Sequence, residues 1–436
     1  MTRLALQGDL LDFTDAPALD DPASPAVRHR PDHWLLIDGG RIAGVQAEAP
    51  DASWRREVHR GRWILPGFVD SHVHSAQVDV IGAYGTQLLD WLTHHTFPAE
   101  ARLADPALAD ASAQLFLDGL LAVGTTSALV FPTVHRHATD ALFAAALARG
   151  MRLISGKVLM DRHAPDNLRD DVVQAERDCL ALIERWHGRG RLAYAVTPRF
   201  APTSTEAQLA MAGALLASRP GLYMQTHVAE NPDEVRWVAE LFPQARSYLA
   251  VYAQHGLLGP RSVLAHGIWL DDTDRALLAQ TGAALAHCPS SNLFLGSGLF
   301  DWPAARAHGS GVTLASDVGG GTHLSMLRTM ADGYKVQALG GHRVTAWALL
   351  HAATRGAAQA LGLAQEIGSL EPGLLADVVV WDRAVTPIER RRQAVARDLH
   401  DSVFAWMTGG DDRHVVSTRV AGVERHRRAE AALAPP

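Results

Sequence analysis

Eight short apolar runs recur through the middle of this chain, and the stretches between them read as helices. This alternation predicts an α/β protein whose parallel strands close into a (β/α)₈ barrel of the TIM type. In such a barrel the reacting residues belong at the carboxyl ends of the strands. The predicted strands are the run ending at His74 and residues 125–131, 151–160, 192–199, 222–230, 262–270, 283–292 and 312–317. Between them, residues 205–216 predict a helix with Thr205 as its N-cap.

The two ends of the chain carry a different pattern. Residues 34–45 predict a hairpin around Gly39 and Gly40, and residues 376–381 and 415–423 predict strands. We therefore expect one small β-sandwich built from residues 1–65 and 370–436, beside a barrel of residues 66–369. Residues 15–32 are rich in Pro, Ala and Asp, which predicts a solvated or partly disordered loop.

Length, charge and cysteine content narrow the class of protein. A chain of 436 residues accommodates a large barrel and a smaller accessory domain. A net charge of -7 without basic runs argues against nucleic acid as a partner. Two cysteines are too few for a disulfide framework, and the first residues lack the apolar core of a signal peptide. No run is apolar enough to span a membrane, so we expect a soluble cytoplasmic protein without a membrane partner.

Histidines and acidic residues gather at the predicted strand ends. His72 and His74 are two residues apart, so in an extended strand both imidazoles face the same side. The pair alone is weak evidence because the chain has 22 histidines, and His135 with His137 forms a second pair that we interpret as a loop. The other polar residues at predicted strand ends are Arg199, His227, Glu230, His266 and Asp317.

This set of side chains suits a catalytic metal. Three neutral imidazoles and one carboxylate leave a Zn²⁺ or Fe²⁺ site with room for water, whose pKa would fall toward roughly 7. Glu230 follows His227 by three residues and is placed to take the proton of that water and return it to a leaving group. The candidate metal ligands are His72, His74, His227 and Asp317.

These residues stand in motifs that resemble the amidohydrolase superfamily and, within it, the guanine deaminase family, over nearly the whole chain. The superfamily motifs are Pro66-Gly67-Phe68-Val69-Asp70-Ser71-His72-Val73-His74, Thr226-His227-Val228-Ala229-Glu230-Asn231, His266-Gly267, His287-Cys288-Pro289-Ser290-Ser291-Asn292 and Ala315-Ser316-Asp317. The more specific motifs are Leu88-Leu89-Asp90-Trp91-Leu92, Thr96-Phe97-Pro98-Ala99-Glu100, Pro198-Arg199-Phe200, Ser316-Asp317-Val318-Gly319-Gly320-Gly321-Thr322 and Thr408-Gly409-Gly410-Asp411-Asp412-Arg413.

The resemblance implies a zinc-dependent hydrolase that deaminates guanine to xanthine and ammonia, with one Zn²⁺ per chain, and it suggests a homodimer. It implies catalytic roles for Glu230 as proton shuttle, for His266 as an aid to the hydroxide and for Asp317. The residues implied to bind the substrate are His74, Gln77, Arg199, Phe200, His227, Glu230 and Asp317.

Several alternatives stay open at this point. Lys157 would bridge a second metal if it were carbamylated, as in hydantoinase relatives, and some superfamily members have lost their metal and act as scaffolds. Arg199 would simply pair with a carboxylate on the barrel rim if it did not contact substrate. His287 beside Cys288 resembles a metal ligand, although a packing role fits better. The run Gly319 to Gly321 lacks the Lys and Ser/Thr of a phosphate-binding loop, so we expect close backbone approach there.

Overall fold

A computed structural model describes residues 3–85 and 87–429 of the chain. The strands are β1 (Leu4–Phe13), β2 (Val27–Asp38), β3 (Arg41–Gln46), β4 (Arg55–Pro66), β5 (Phe68–His74), β6 (Thr125–Phe131), β7 (Arg152–Ser155), β8 (Val158–Leu159), β9 (Leu192–Pro198), β10 (Tyr223–Val228), β11 (Ser262–His266), β12 (Ala284–His287), β13 (Gly311–Leu314), β14 (Val378–Trp381), β15 (Val415–Val420) and β16 (Val423–Arg427).

The helices follow β5 in the chain, and most of them lie between β5 and β13. They are α1 (Leu88–Trp91), α2 (Phe97–Ala101), α3 (Pro106–Ala122), α4 (Arg136–Arg149), α5 (Val172–Trp186), α6 (Glu206–Ser218), α7 (Pro232–Leu241), α8 (Tyr248–Gln254), α9 (Asp272–Thr281), α10 (Pro289–Phe294), α11 (Trp302–Ala307), α12 (Met326–Leu339), α13 (Ala346–Ala352), α14 (Arg355–Ala360), α15 (Pro387–Ala394) and α16 (Leu399–Gly409). A π-helical turn, Leu92–Thr96, joins α1 to α2. No helix among the described residues is long and apolar enough to cross a membrane.

Strands β5 to β13 form the predicted barrel. Their order is β5-β6-β7-β9-β10-β11-β12-β13, with β8 paired to β9, and neighbouring strands are parallel. The last strand returns to the first: the Asp317 N–H donates to the His72 carbonyl at 2.9 Å, and the Ser71 hydroxyl donates to the Leu314 carbonyl at 2.7 Å. Because helices cover the outside while side chains fill the inside, these strands are apolar and buried on both faces.

Both termini contribute strands to one small β-structure beside the barrel, as predicted; where a sandwich was expected, the described strands form one seven-stranded sheet. The order is β16-β15-β14-β4-β1-β2-β3; the strands form one continuous hydrogen-bonded sheet in which β1 and β4 run parallel. Gly67 lies where the chain leaves this sheet for the barrel, and its N–H donates to the Asp377 carbonyl at 2.8 Å. A Cβ at Gly67 would lie 2.2 Å from the Thr126 hydroxyl oxygen, so the crossing needs glycine.

The helix predicted after Thr205 is confirmed, since α6 begins at Glu206 and the Thr205 side chain accepts the Gln208 N–H at 3.2 Å. The loop predicted at 15–32 is wrong for its last part, because β2 begins at Val27 and pairs with β1. Buried Asp12, on β1, accepts a hydrogen bond of 2.9 Å from Arg28, and this long-range partner draws a polar segment into the sheet.

Several barrel strands are shorter than predicted. The run at 151–160 divides into β7 and β8 around Gly156, where a Cβ would lie 1.8 Å from the Ala195 carbonyl oxygen. The runs predicted at 262–270 and 283–292 end as strands at His266 and His287, and the second continues into α10. In the last two runs the hydrogen-bonded ladder ends at a histidine.

Candidate active site

The barrel gathers the predicted site residues at the carboxyl ends of its strands. β5 ends with His72 and His74, His227 lies on β10, β11 ends at His266, and Asp317 follows β13 by three residues. His266 and Asp317 have positive φ angles of 72° and 49°, which is uncommon for residues other than glycine. These conformations turn the chain at the strand ends, and positions of this kind concentrate at functional sites.

Four of these side chains offer ligand atoms to one point. The donor atoms of His72, His74, His227 and Asp317 all lie within 4.8 Å of one another. The Nε2 atoms of His72 and His74 are each 3.2 Å from Asp317 Oδ1, and the Nε2 atoms of His74 and His227 are also 3.2 Å apart. Electron-rich atoms packed this closely repel one another unless a cation or a proton lies among them.

The protonation of these groups fits a metal cation. Burial lowers the pKa of His74 to about 3 and that of His227 well below its ordinary value, so both rings are neutral. Burial would raise the pKa of Asp317, but hydrogen bonds with His72 and His74 outweigh it and hold the pKa well below its usual range. His227 Nδ1 lies 2.7 Å from the Arg199 carbonyl oxygen, so this nitrogen donates and Nε2 keeps a lone pair for a metal. The four side chains of the cluster therefore fit a metal cation.

Glu230 lies beside this cluster without belonging to it. Its Oε1 accepts a hydrogen bond of 3.0 Å from the Ser297 hydroxyl, and its Oε2 is 3.3 Å from His266 Nε2. Burial, together with the negative charge of Asp317, raises the pKa of Glu230 to about 8. A carboxyl group with such a pKa holds and releases a proton near neutral pH, which suits general acid and base chemistry.

His266 is held in a fixed orientation next to Glu230. Its Nδ1 lies 2.9 Å from Asn292 Oδ1, which accepts the Nδ1 proton, and its Nε2 faces Glu230 and, at 3.7 Å, Asp317 Oδ2. The ring is buried, with 1% of its surface exposed. The structure thus brings two of the predicted catalytic residues, Glu230 and His266, to one side of the cluster, and the third, Asp317, lies within it.

A pocket opens from the cluster toward the chain segment that follows β5. Gln77, Arg199 and Phe200 line it together with His74, His227 and Glu230. Its apolar wall is formed by Leu88, Trp91, Leu92 and Leu295. This combination of a few polar groups and apolar walls is typical of a small-molecule site.

Gln77 and Arg199 both bind the carboxylate of Glu100, the last residue of the motif that begins at Thr96. No role in the site was predicted for Glu100. Arg199 Nη1 donates to both oxygens of Glu100, each at 2.9 Å, and Gln77 Nε2 donates to Glu100 Oε1 at 2.9 Å. The Gly319 N–H donates to Gln77 Oε1 at 3.1 Å. Arg199 therefore lines the pocket and is paired with a carboxylate as well.

Other residues near the site had no assigned role. Glu234 Oε2 accepts the backbone N–H of Glu230 at 3.0 Å, and its other oxygen accepts the Tyr248 hydroxyl at 2.6 Å. With Ser297 it holds Glu230 in place. The capping-box spacing of Asn231 and Glu234 was a local signal for the first of these contacts.

The alternative metal residues lie elsewhere. Lys157 Nζ is 2.5 Å from Asp170 Oδ1, and this lysine contributes nothing to the cluster. The rings of His135 and His137 stack with 5.7 Å between centroids. His135 is the last loop residue before α4 and forms its N-cap, as interpreted above, whereas His137 lies in the first turn of α4, which corrects the interpretation for that residue. Among the described residues, neither joins a group that could hold a metal.

His287 and the glycine run behave as packing elements. The His287 ring stacks on Phe300 with 4.7 Å between centroids, and neither ring nitrogen has a hydrogen-bond partner among the described residues. A Cβ at Gly319 would lie 2.7 Å from the Gln77 carbonyl oxygen, and one at Gly321 only 1.7 Å from the Ser316 carbonyl oxygen. The expected close backbone approach is present.

Fold and site together define a class, and the comparison with known proteins agrees: the chain belongs to the amidohydrolase family, whose model matches residues 63–424. It is 43% identical to guanine deaminase from Escherichia coli strain K12 over 97% of each chain. It is 31% identical to guanine deaminase from Homo sapiens, over 90% of this chain and 91% of that protein.

Solved structures give the same result. The structure of E. coli guanine deaminase superposes with a TM-score of 0.94 at 42% identity, covering 98% of this chain and all of that one. A guanine deaminase from C. acetobutylicum with guanine bound in its active site superposes with a TM-score of 0.88 at 25% identity, covering 97% of this chain and 100% of that one. Both of these similar solved structures are of guanine deaminases.

Proposed function

We infer that this protein catalyses the hydrolysis of guanine to xanthine and ammonia. The observation that carries the inference is the four-ligand cluster with Glu230 beside it, open to a pocket lined by Gln77, Arg199 and Phe200. The guanine deaminases to which the chain is similar over almost its whole length support the choice of substrate.

We propose one Zn²⁺ per chain, held by His72, His74, His227 and Asp317, with Fe²⁺ as the alternative. When bound, such an ion lowers the pKa of a coordinated water toward roughly 7 and so supplies a nucleophile at neutral pH. Nitrogen and carboxylate donors in this ratio suit either ion.

Glu230 moves the protons, and His266 assists the nucleophile. Glu230 takes a proton from the attacking water and delivers it to the ring nitrogen next to the amino-bearing C2 of guanine. Glu230 then moves the remaining proton of that water from the hydroxyl now on C2 to the amino group. The bond from C2 to the amino nitrogen breaks, the C2 carbonyl forms and ammonia leaves, so one water and one guanine give one xanthine and one ammonia. His266 orients the nucleophile, and its own orientation is fixed by Asn292. Asp317 remains a carboxylate throughout.

Arg199, Gln77 and Phe200 orient the base. Arg199 has no acceptor to offer, so its free N–H groups suit the carbonyl O6 of guanine and oppose the amino group that adenine carries there. Phe200 offers an aromatic surface for a bicyclic ring. His74, His227, Glu230 and Asp317 would contact the reacting end of the same substrate.

Ultraviolet spectra of the purified protein with guanine, adenine, cytosine and a pterin test the proposal. We expect guanine to be converted to xanthine with one equivalent of ammonia, and adenine to react much more slowly. Equal rates on adenine and guanine would reduce the proposal to a metal-dependent aminohydrolase of broad range. Absence of any reaction with metal bound would refute it.

The remaining expectations from the sequence are also proposals. We propose a homodimer in the cytoplasm, with domain limits at residues 1–65, 66–369 and 370–436. A two-metal cyclic-amide hydrolase is less favoured, because the Lys157 ammonium is held by Asp170.

A further inference from the structure

We propose that Glu100 is a positioning residue that sets substrate specificity by aligning Arg199 and Gln77, an inference that rests on the proposed function. Glu100 lies on α2, and none of its surface is exposed. It belongs neither to the ligand cluster nor to the residues that line the pocket. Its effect on the substrate therefore passes through the two side chains that it binds.

The hydrogen bonds around Glu100 determine which groups Gln77 presents. The amide oxygen of Gln77 accepts the Gly319 N–H, and its nitrogen donates one proton to Glu100, so the orientation of the amide is fixed. One amide N–H of Gln77 is left over. The oxygen is already engaged, so Gln77 offers the pocket a donor in preference to an acceptor.

Arg199 is fixed in the same way. Both bonds to Glu100 use Nη1, and the guanidinium lies 5.4 Å above the ring of Phe97, which also belongs to α2. The other guanidinium N–H groups have a set direction because the fork is planar. Two donors from separate elements thus face the pocket together, and they complement a ligand edge with two acceptors, such as O6 and N7 of an oxopurine.

Glu100 also balances charge and joins two parts of the fold. Its carboxylate compensates the buried Arg199 guanidinium, which would otherwise place an unpaired positive charge in a site that has to admit a cation. Because Leu88, Trp91 and Leu92 of the same segment form a pocket wall, the Glu100–Arg199 pair also ties this wall to the end of β9.

Ligand binding to the metal-loaded enzyme tests the proposal. Hypoxanthine keeps O6 but lacks the reacting amino group, and purine lacks O6 as well. We expect the parent enzyme to bind hypoxanthine at least tenfold more tightly than purine in titration calorimetry, equivalent to about 1.4 kcal/mol. In Glu100→Gln the ratio should fall to within threefold. A ratio that stays at its parent value while both ligands weaken would overturn the proposal, since a purely structural residue would act on both alike.

Asp12→Asn is a matched control. Asp12 is a buried carboxylate that pairs with Arg28, as Glu100 pairs with Arg199, but it lies on β1 of the terminal sheet and does not line the pocket. The hypoxanthine to purine ratio should remain at its parent value in this variant. A collapse of the ratio here as well would show that any buried carboxylate has the effect, and would overturn the specific role of Glu100.

A double-mutant cycle covers the case in which Glu100→Gln folds poorly because Arg199 loses its partner. In the parent background we expect Glu100→Gln to lower kcat/KM for guanine about tenfold to a hundredfold, mainly through KM. In the Arg199→Met background, where no charge is left unpaired, the same change should cost less than threefold. Equal losses in both backgrounds would contradict an action through Arg199. Failure of the parent enzyme to form xanthine would refute the proposed function, whereas the ligand ratio tests Glu100 independently.

Discussion

Replacement of Glu230 by Gln tests the proposed proton transfer directly. The substitution preserves the size of the side chain and its ability to accept the 3.0 Å hydrogen bond from Ser297, but it removes the group that takes and returns protons. General acid and base groups contribute about 10²- to 10⁴-fold to rate. We expect kcat to fall by that amount, which corresponds to a barrier higher by roughly 3–5 kcal/mol.

Two neighbours of Glu230 have a proton engaged in a hydrogen bond within the site. The Nδ1 proton of His266 is engaged by Asn292, and Ser297 already donates its hydroxyl proton to the carboxylate. The four ligand atoms of the cluster come from other residues, so the metal content should stay at the parent value.

The assay combines xanthine formation, followed by absorbance, with elemental analysis of the same preparation. Asp12→Asn serves again as the buried-carboxylate control, and its kcat should fall less than tenfold. A Glu230→Gln enzyme that retains more than a tenth of the parent kcat would refute the reasoning. Loss of the metal in this variant would instead assign Glu230 to the ligand set.

Three further predictions concern the metal, the base and acid stability. Elemental analysis should find about one zinc or iron per chain, unchanged in Lys157→Ala; two metals that fall to one in that variant would indicate a binuclear centre. Arg199→Ala should lower kcat/KM for guanine roughly tenfold to a hundredfold, the loss expected for a charge-assisted hydrogen bond, with metal content preserved; normal turnover of guanine would exclude the contact. Burial lowers the pKa of His287 from 6.5 to about 3, so between these values the unfolded chain binds a proton that the folded protein does not, and stability falls as the pH drops through this window. Urea unfolding should show about 2 kcal/mol of this loss by pH 5, absent in His287→Phe, and equal pH dependence in both proteins would contradict the assignment.

Much of the site was accessible from the sequence because its signals are local. His72 and His74 are two residues apart at the end of an apolar run, and the extended geometry of a strand is enough to place both imidazoles on one side. Once the alternation of strands and helices indicates a barrel, the carboxyl ends of distant strands must meet at one face. That rule places His227 and Asp317 at the same face as His72 and His74, but it does not give the distances between them.

What the sequence by itself determined is therefore the barrel, the joint β-structure of the two termini and the four residues that we propose as metal ligands. Only the tertiary structure decided which groups pair within the buried site. Glu100 binds Arg199 across 99 residues, and Asp12 draws a polar segment into the terminal sheet, although neither partner is marked by local spacing. The physical reason is that a buried charge takes whichever opposite charge the packed chain brings within reach, and the pairing depends on the closed barrel rather than on the residues adjacent in sequence.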